Sequence, residues 1–396
     1  MRIGMILDLP FPPDPRVENE AVSLINAGHE VFLFCLTYDK YEGNAIINEI
    51  HVKRYVSNKL EYKLSALAYT FPFYSNMMSP KINHFLVENK IEVIHIHDIQ
   101  IAESVFKTNK KLNLPLILDL HENRPEIMKF YQHLQKFPGK QLISASRWKQ
   151  QEERFVKQAD RVVVVTQESK DEIILRVKKA PENIVVVPNT VRKSFYQNPE
   201  IHQEIINKFN DKFVLLYIGN TGLRRGLETA IDALVKLKND IPSILLVIVG
   251  KSSDDMFLKK KVAMLQLEDV VIFEGWQDQS LFPSYIEASE VCISPLHRNQ
   301  HHDTTYANKV FQYMSFAKPI LVSDATAQKN LIDHTKSGLV HIEKDVKDFA
   351  DKVLLLFTDE NLRTKYGENG KRFIEEEFCW EMTSKKLINL YDELEK

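Results

Sequence analysis

The chain has 396 residues, of which 44% are hydrophobic and 27% are charged, so it can bury large cores, has room for two domains and does not read as disordered. Its 52 basic and 54 acidic residues leave a net charge of −2, which argues against a nucleic-acid-binding protein. No apolar run approaches the roughly 18 residues that a membrane-spanning helix needs, and the first residues read as a core strand rather than an export signal.

The three cysteines point to a reducing compartment. Cys35, Cys292 and Cys379 are odd in number, far apart and set among apolar residues. This pattern is typical of reduced core thiols rather than of a disulfide framework or a metal cluster. We therefore expect a cytoplasmic protein.

Short apolar runs alternate with longer helical patterns from one end of the chain to the other. Those of the first half lie at 3–7, 31–36, 51–56, 93–96, 115–120, 162–165 and 184–187. Those of the second half lie at 213–218, 244–249, 270–273, 291–293, 319–322 and 339–342. The alternation predicts an α/β protein built from βαβ units, with two Rossmann-like parallel sheets.

The predicted domain boundary lies at the turn of residues 188–190, where a strand gives way to a polar helix near 200–210. We expect a first domain at 1–190 and a second at 191–375. Apolar residues at helical spacing near the end of the chain predict a last helix, at about 376–396, that returns to the first domain.

The most informative segment joins a buried strand to a helix through a loop that contains three glycines. Residues 219–226 read Gly-Asn-Thr-Gly-Leu-Arg-Arg-Gly. Open backbone amides and a helix dipole at such a loop suit a phosphate, and Arg224 or Arg225 would add charge. An ordinary turn with solvated arginines is the alternative. The loop matches neither the Walker nor the dinucleotide fingerprint, which disfavours ATPases and dehydrogenases.

A second polar segment follows the strand predicted at 291–293, at the sheet edge where open α/β sheets bind ligands. It contains Asn308, Lys309 and Gln312 at the start of a predicted helix. Lys309 is expected to neutralise phosphate, and the two amides to bond hydroxyls. The apolar residues of the same helix are expected to belong to the core.

Several histidines allow more than one interpretation. The histidines of residues 297–303 resemble a metal cluster in composition, but no helix or hairpin spacing fixes their geometry, and we expect no metal there. His95, His97 and His121 lie at the ends of predicted strands, where they are either core residues or functional ones. Polar residues follow His121, which makes it the preferred functional histidine.

Together the motifs resemble those of the retaining GT-B glycosyltransferases of family 4, which build bacterial capsules, exopolysaccharides and lipopolysaccharide. The resemblance covers almost the whole chain and rests on the order and spacing of the motifs. These are Phe11-Pro12-Pro13-Asp14-Pro15-Arg16-Val17, Ala27-Gly28-His29-Glu30-Val31, His95-Ile96-His97-Asp98, Asp119-Leu120-His121-Glu122, Pro188-Asn189, the loop 219–226, Asn308-Lys309 with the residues up to Met314, and Phe378-Cys379-Trp380-Glu381.

The resemblance implies two Rossmann-like domains that face a central cleft. The second domain would bind a nucleotide-sugar donor, with a UDP-sugar favoured, and the first a glycan or lipid-linked glycan acceptor. Transfer would retain the anomeric configuration and need no metal or other cofactor. The family's same-face mechanism needs no protein base, because a donor phosphate oxygen accepts the acceptor proton.

The resemblance also implies roles for individual residues. Arg225, Lys309 and His121 are the expected catalytic residues, with Arg225 and Lys309 holding the departing diphosphate and His121 orienting a sugar hydroxyl. The expected donor-binding residues are Gly219, Asn220, Thr221, Gly222, Arg224, Gly250, Lys251, Trp276, Thr305, Tyr306, Asn308 and Gln312. The expected acceptor and cleft-closing residues are Pro13, Asp14, Arg16, His97, Asp98 and Glu122.

The chain departs from the family pattern in two places. Asn220 replaces a basic residue that often follows the first glycine, which makes Lys309 more important. Thr304 and Gln312 replace the paired glutamates that contact sugar and ribose, and Thr304 offers only a short hydroxyl. The mode of sugar binding therefore stays open. A sugar-nucleotide epimerase of the same fold and a non-catalytic scaffold remain as alternatives.

A local basic and aromatic surface is expected at residues 128–158, with a second aromatic stretch at 64–78. The basic residues are Lys129, Lys136, Lys140, Arg147, Lys149, Arg154 and Lys157, and the aromatic ones include Phe130, Tyr131, Phe137 and Trp148. One interpretation is contact with anionic lipid on the inner face of the membrane. The other is a solvated helix face above ordinary core.

Overall fold

The computed structural model describes residues 1–39, 43–131, 134, 136, 137 and 139–395. The chain forms two compact units. Unit 1 comprises Met1–Asn189 and Ser384–Lys396, and unit 2 comprises Thr190–Thr383. Each unit contains one sheet with helices packed against it, as the alternation of strands and helices predicts.

The sheet of unit 1 has eight strands in the order β3-β4-β2-β1-β5-β6-β7-β8. They are β1 Arg2–Ile6, β2 Glu30–Thr37, β3 Gly43–Ile47, β4 Ile50–Val56, β5 Val93–His97, β6 Leu116–Leu120, β7 Arg161–Val164 and β8 Ile184–Val186. All pair in parallel except β3, which pairs antiparallel with β4. The helices are Pro15–Asn26, Lys59–Ser65, Phe73–Glu88, Ala102–Leu112, Arg124–Met128, Gly139–Leu142, Ala145–Gln158, Gln167–Val177 and Lys385–Leu394, with a short 3-10 helix at Pro181–Asn183.

Strand β3 was not predicted from the sequence. It lies at the edge of the sheet and only alternate residues are shielded from solvent, so it lacks the long apolar run by which the buried strands were recognised. Asn48 and Glu49 both have positive φ and form the two-residue turn into β4. Such a turn matches the twist of a hairpin.

The sheet of unit 2 has six strands, all parallel, in the order β11-β10-β9-β12-β13-β14. They are β9 Phe213–Ile218, β10 Ile244–Val249, β11 Val271–Gly275, β12 Val291–Ser294, β13 Ile320–Ser323 and β14 Gly338–His341. The helices are Lys193–Tyr196, Gln203–Lys208, Leu227–Asp240, Asp255–Met264, Phe282–Glu287, Gln300–Thr304, Lys309–Ser315, Thr326–Thr335, Val346–Thr358, Glu360–Phe373 and Trp380–Thr383, with 3-10 turns at Leu223–Arg225 and Gln279–Leu281 and a π-helical turn at Ile374–Phe378.

The strand order of unit 2 indicates which edge of its sheet is the candidate ligand-binding edge. The order reverses between β9 and β12, and open α/β sheets bind ligands outside the carboxyl ends of the strands at this point. The loop 219–226 follows β9 and the segment 295–308 follows β12. The two polar segments singled out in the sequence therefore start from neighbouring strands.

The C-terminal segment returns to unit 1 later than expected. Residues 376–383 belong to unit 2, and the return begins at Ser384. The physical reason is that Cys379 and Trp380 are buried there, and the Trp380 amide donates to the Val191 carbonyl at 2.8 Å. The last helix then buries Leu387 and Tyr391 in unit 1.

The three cysteines are free thiols in the interior of the protein. Burial raises the pKa of Cys35 to about 11 and that of Cys292 to about 12. Both thiols therefore stay protonated at neutral pH, in agreement with the expectation of core residues.

The expected basic and aromatic surface is only partly a surface. Trp148 is buried, with its ring edge-on to Tyr69 at 4.8 Å. Lys129 and Lys149 form ion pairs with Glu126, and positions 132, 133, 135 and 138 lie outside the described residues. Phe137 is exposed. Contact with a membrane stays a prediction.

None of the helices in the described part of the chain combines the length and the apolar character that a bilayer crossing requires.

Candidate functional site

The loop after β9 is a compact turn held by side chains. The Asn220 Oδ1 accepts the Gly222 amide at 2.9 Å, and the Asp254 Oδ2 accepts the Leu223 amide at 3.1 Å. The Arg225 and Gly226 amides donate within the turn itself. The expectation that the loop offers open amides to a phosphate is therefore wrong for these four groups. Asn220 closes a local side-chain turn, and Asp254 comes from a segment that the sequence did not connect with the loop.

Gly226 lets this loop approach the segment after β12. Its φ is +74°, and a Cβ atom there would lie 1.7 Å from the Pro295 carbonyl oxygen. In the same region the His297 amide donates to the Arg224 carbonyl at 3.0 Å. Gly250 is equally constrained, because its Cβ would lie 1.9 Å from the Gly219 carbonyl oxygen. The contacts of Gly226 with Pro295 and of Arg224 with His297 bring the two polar segments together.

We expect Gly226→Ala to lower the free energy of unfolding. A left-handed backbone costs about 1–2 kcal/mol for a residue with a Cβ, and the overlap with Pro295 adds to that cost. Gly28→Ala is the matched control, since Gly28 has φ +95° with nothing within 4 Å of a Cβ. Equal losses in urea unfolding for the two variants would contradict the contact as the cause.

Lys309 is a buried basic residue beside this loop. Its side chain is 9% exposed, and its Nζ lies 3.3 Å from the centroid of the Tyr217 ring. A Cβ on Gly219 would lie 3.4 Å from the same nitrogen. Among the described residues, Nζ has no hydrogen-bond partner. Burial, and then the charge of Arg225, hold the pKa of Lys309 well below its usual range.

Arg225 adds a second cation to the same site. Its Nε is buried, and no group in the described ranges accepts a hydrogen bond from it. Two cations this close repel each other, and a buried charge is costly unless it is paired. A bound anion would relieve both penalties, and phosphate oxygens suit the donors of arginine and lysine. The arrangement is therefore a candidate anion site.

The histidines after β12 are buried beside these cations. His301 and His302 are 5% and 1% exposed. Burial is the main cause that lowers the pKa of His301 to about 2 and the pKa of His302 to about 3, and the nearby charges of Arg224 and Arg225 lower both further. Asp303 pairs with Arg298 at 3.2 Å and accepts the Thr326 amide at 2.8 Å. This segment is ordered by its own hydrogen bonds.

Some expected donor residues have their side chains engaged in other contacts. The Thr221 hydroxyl, fully buried, donates to Asp255 and lies 3.1 Å from the Ser252 hydroxyl. The Thr305 hydroxyl donates to the His301 carbonyl at 2.7 Å, and the Tyr306 ring packs edge-on against Phe311.

Other expected donor residues are open to solvent. Lys251 is exposed after β10, and Trp276 is 64% exposed after β11. Asn308 is exposed at the start of its helix, with Gln312 half-buried one turn on. Of the positions where glutamates were expected, Thr304 is 8% exposed and its hydroxyl donates to the Gln300 carbonyl.

In unit 1, Arg16 is a buried residue rather than part of a closing loop. Asp14 caps the helix Pro15–Asn26 by accepting the Val17 amide, and proline suits the first helical position. Arg16 is 4% exposed. It donates to the two Asp119 oxygens at 3.1 and 2.9 Å, and to the Val187 carbonyl. Pro13, just before this helix, is exposed.

Asp119 connects Arg16 with the histidines. The His121 Nε2 lies 3.1 Å from the Asp119 Oδ2 and 3.0 Å from the His97 Nδ1. Burial opposes the charge of His121, but Asp119 and then Asp98 outweigh it and raise its pKa to about 9. Burial and the neighbouring histidines hold the pKa of His97 well below its usual range. His121 is therefore a cation and His97 is neutral.

These residues differ in their access to substrate. His97 is fully buried, so its expected place at an acceptor surface is wrong. His121 is 14% exposed, and its amide donates to the Asp98 Oδ1 at 3.2 Å. Glu122, the next residue, is exposed. Of the histidines expected at strand ends, His121 is the one that reaches solvent.

Sequence reasoning missed the full extent of the buried cluster. Glu20, His95, His97 and Asp119 each present a potential metal ligand within 4.8 Å of the others. Arg16 already supplies a positive charge there, 2.8 Å from Glu20 and 2.9 Å from Asp119, so we describe the cluster as an ion-pair network. The feature of the sequence that could have revealed this cluster is Asp119, a charged residue inside an otherwise apolar strand.

Both halves of the chain match known families. Residues 16–195 match Glycosyltransferase Family 4, and residues 198–373 match Glycosyl transferases group 1. The chain belongs to the GT-B glycosyltransferases. The fold that the resemblance implied is therefore confirmed.

Relatives of this glycosyltransferase are distant in sequence. An uncharacterized glycosyltransferase of Methanocaldococcus jannaschii is 24% identical over 60% of this chain and 59% of its own length. The alpha-D-kanosaminyltransferase of Streptomyces kanamyceticus is 21% identical over 72% of each chain. The capsular polysaccharide biosynthesis glycosyltransferase CapM of Staphylococcus aureus is 21% identical over 58% of this chain and 61% of its own. The chain thus spans less than two thirds of the first and third relatives.

Solved structures share the fold over the whole length of this glycosyltransferase. Sucrose-phosphate synthase from Thermosynechococcus elongatus is 18% identical, with a TM-score of 0.78 over 99% of this chain and 98% of that one. HepE from Anabaena, in complex with UDP-glucose, is 13% identical, with a TM-score of 0.73 over 99% of this chain and all of that one. At these identities the likeness establishes the fold alone.

Proposed function

We propose that this glycosyltransferase moves a sugar from a nucleotide-sugar donor, with a UDP-sugar favoured, to a glycan or lipid-linked glycan acceptor. Unit 2 binds the donor and unit 1 binds the acceptor. The transfer retains the anomeric configuration and needs no metal. A role in bacterial surface polysaccharide synthesis completes the proposal.

The observation that carries this proposal is the pair of basic residues Lys309, whose side chain is buried, and Arg225, whose Nε is buried. The Lys309 Nζ lies over the Tyr217 ring of β9, Arg225 lies in the loop that follows β9, and the Lys309 Nζ lacks a hydrogen-bond partner in the part of the chain that the structure describes. The diphosphate of a nucleotide sugar supplies the anion that this site requires. HepE, which shares the fold, has been solved with UDP-glucose, and CapM acts in capsular polysaccharide biosynthesis.

The same pair provides the chemistry of the proposed reaction. When the glycosidic bond to phosphate breaks, negative charge develops on the departing diphosphate. Preorganised cations in a buried site stabilise such charge strongly, because they need no reorganisation during the reaction. A phosphate oxygen of the donor can then take the proton of the incoming acceptor hydroxyl. This step requires no base from the protein.

His121 is proposed to orient a substrate hydroxyl. It is the member of its cluster that reaches solvent, and Asp119 holds it as a cation. An imidazolium donates hydrogen bonds through both nitrogens, and one of them already points to Asp119. The other nitrogen can donate to a sugar oxygen. In this role His121 is a binding residue and neither a nucleophile nor a base.

The proposal is tested by donor binding and donor turnover in Arg225→Ala. For the unsubstituted protein, UDP-glucose at 100 times its Kd is expected to stabilise the folded state by about 2.7 kcal/mol, measured as a rise in melting temperature. Arg225→Ala is expected to reduce this rise and to lower kcat/KM, because the leaving diphosphate loses one of its two cations.

Arg372→Ala is the matched control, since Arg372 is exposed and bonds only Asn369 in the described part of unit 2. It should leave binding and turnover unchanged. An unaltered kcat/KM in Arg225→Ala would reject the role of Arg225. Isomerised donor formed without any acceptor would reject transfer in favour of epimerisation.

A further inference from the structure

His302 has a hydrogen-bonding pattern that its own helix does not explain. It lies in the short helix Gln300–Thr304 and is 1% exposed. Its amide donates to the Asn299 Oδ1 at 3.0 Å, and its Nδ1 lies 2.7 Å from the His297 carbonyl oxygen. The Asn299 Nδ2 lies 2.9 Å from the same Nδ1, but it donates to the His297 carbonyl as well, at 3.1 Å, and the shorter contact of Nδ1 with that carbonyl needs a proton on Nδ1. A carbonyl accepts hydrogen bonds and cannot donate them. The proton of the neutral ring is therefore on Nδ1.

The other ring nitrogen, Nε2, is consequently a lone-pair acceptor. It is buried, and nothing in the described ranges of the chain donates to it. Burial first, and then Arg225, Arg224 and Lys309, lower the pKa of His302 to about 3, so the ring stays neutral at every ordinary assay pH. A buried acceptor without a donor is costly, and native proteins rarely leave one unsatisfied.

The position of His302 suggests where that donor comes from. The segment 295–308 follows β12, at the point where the strand order reverses. It contacts the cationic loop directly, through the His297 amide and the Arg224 carbonyl. The charges of Arg225 and Lys309 act on the ring. A ligand whose diphosphate lies on these two cations therefore brings its hydroxyl groups into the neighbourhood of His302.

We propose that the Nε2 atom of His302 accepts a hydrogen bond from a hydroxyl of the nucleotide-sugar donor, and that His302 thereby contributes to donor selection. This inference rests on the proposed function. A neutral acceptor suits a hydroxyl, which can donate, and does not suit a fully ionised phosphate oxygen, which cannot. The hydroxyl belongs either to the transferred sugar or to the ribose.

This assignment also bears on the missing glutamate. Thr304 has its hydroxyl directed to the Gln300 and His301 carbonyls, so it acts there as a donor to its own helix. A glutamate at this position would have offered acceptor oxygens. His302, two residues earlier, supplies an acceptor from the same helix without adding a negative charge.

Two substitutions separate the acceptor from the structural contact. An asparagine amide can reproduce the contact of Nδ1 with His297, and a glutamine amide reaches the place of Nε2. We expect His302→Asn to weaken UDP-glucose binding by about tenfold, the loss of one hydrogen bond to a buried group. His302→Gln is expected to retain most of the affinity. Binding is measured by titration calorimetry.

His341→Asn is the matched control within unit 2. His341 is also 1% exposed, its Nδ1 lies 2.8 Å from the Ile342 carbonyl, and its Nε2 has no hydrogen-bond partner among the described residues. Its charged neighbours are acidic instead of basic. His341→Asn should therefore leave UDP-glucose binding unchanged, whatever it does to stability.

Titrations with UDP alone identify the source of the hydroxyl. A loss in His302→Asn for UDP-glucose but not for UDP assigns the bond to the sugar, and equal losses assign it to the ribose. Unchanged binding of both ligands to His302→Asn overturns the inference, as does a loss in His302→Gln that equals that in His302→Asn. The proposed function would survive this result as long as Arg225→Ala still weakens UDP binding.

Discussion

Lys309→Met is expected to lower activity while raising stability. Without the ammonium, the departing diphosphate loses a preorganised charge, and kcat/KM should fall by about 10²–10³, the usual cost of removing one such group. Methionine is flexible and of similar length, so it can fill the space beside Tyr217. The folded protein no longer buries an amine whose pKa is held below its usual range, and the free energy of unfolding should rise by about 1–3 kcal/mol.

The opposite signs of these two effects make the test specific. A lysine that serves only packing would lose stability on substitution and leave kcat/KM alone. Lys329→Met is the control, because Lys329 is exposed on the helix Thr326–Thr335 and should change neither quantity. The free energy of unfolding is measured without ligand and then with UDP, which should stabilise the unsubstituted protein more than the variant. The value of kcat/KM is measured separately by donor turnover.

Asp119→Asn is expected to destabilise the protein by about 3–5 kcal/mol. Arg16 is 4% exposed and would lose the negative charge of Asp119 and one of its two acceptor oxygens, which leaves a buried charge only partly compensated. His121 would lose the same carboxylate. Asp160→Asn is the control, because Asp160 is exposed and accepts one amide, that of Leu116, at 2.8 Å. Equal losses in urea unfolding would contradict the network as the cause.

The same substitution should flatten the pH dependence of stability in the alkaline range. The pKa of His121 is raised from 6.5 to about 9 in the folded state. Its contribution to stability is therefore complete below pH 6.5 and is lost as the pH rises to 9. The difference corresponds to roughly 3 kcal/mol. In Asp119→Asn the stabilities measured at pH 6.5 and pH 9 should lie closer together.

The fold followed from the sequence wherever burial left a pattern in the amino acids. Buried parallel strands are apolar at successive positions, as in Leu215-Leu216 of β9 and Val162-Val163 of β7. Strand β3 was not predicted, because an edge strand does not need a run of consecutive apolar residues. The residue at which the chain returns to unit 1 was also not predicted. Trp380 is apolar enough to be buried in either unit, and only its contact with Val191 shows that it belongs to unit 2.

The candidate site was less predictable than the fold. The place of Lys309 beside the loop after β9 could be predicted, because the segments after neighbouring parallel strands meet at one edge of the sheet. Its role in binding an anion stays a prediction. The partners of Arg16 could not, because Asp119 lies 103 residues further along the chain. The tautomer of His302 depends on the contact of its Nδ1 with the His297 carbonyl, and no spacing in the sequence reports that contact. Side-chain contacts between residues far apart in the sequence were thus the main features that the sequence did not predict.

The late return of the chain has a consequence for biosynthesis. Unit 2 is continuous in sequence, whereas unit 1 requires residues from both ends. The Tyr391 hydroxyl lies 2.8 Å from the His95 Nδ1, in the centre of unit 1. Domains usually fold in the order of synthesis, but here the ribosome finishes unit 2 before unit 1 is whole. The first strands to be made must therefore wait for Tyr391, which follows all of unit 2, before their polar centre is complete.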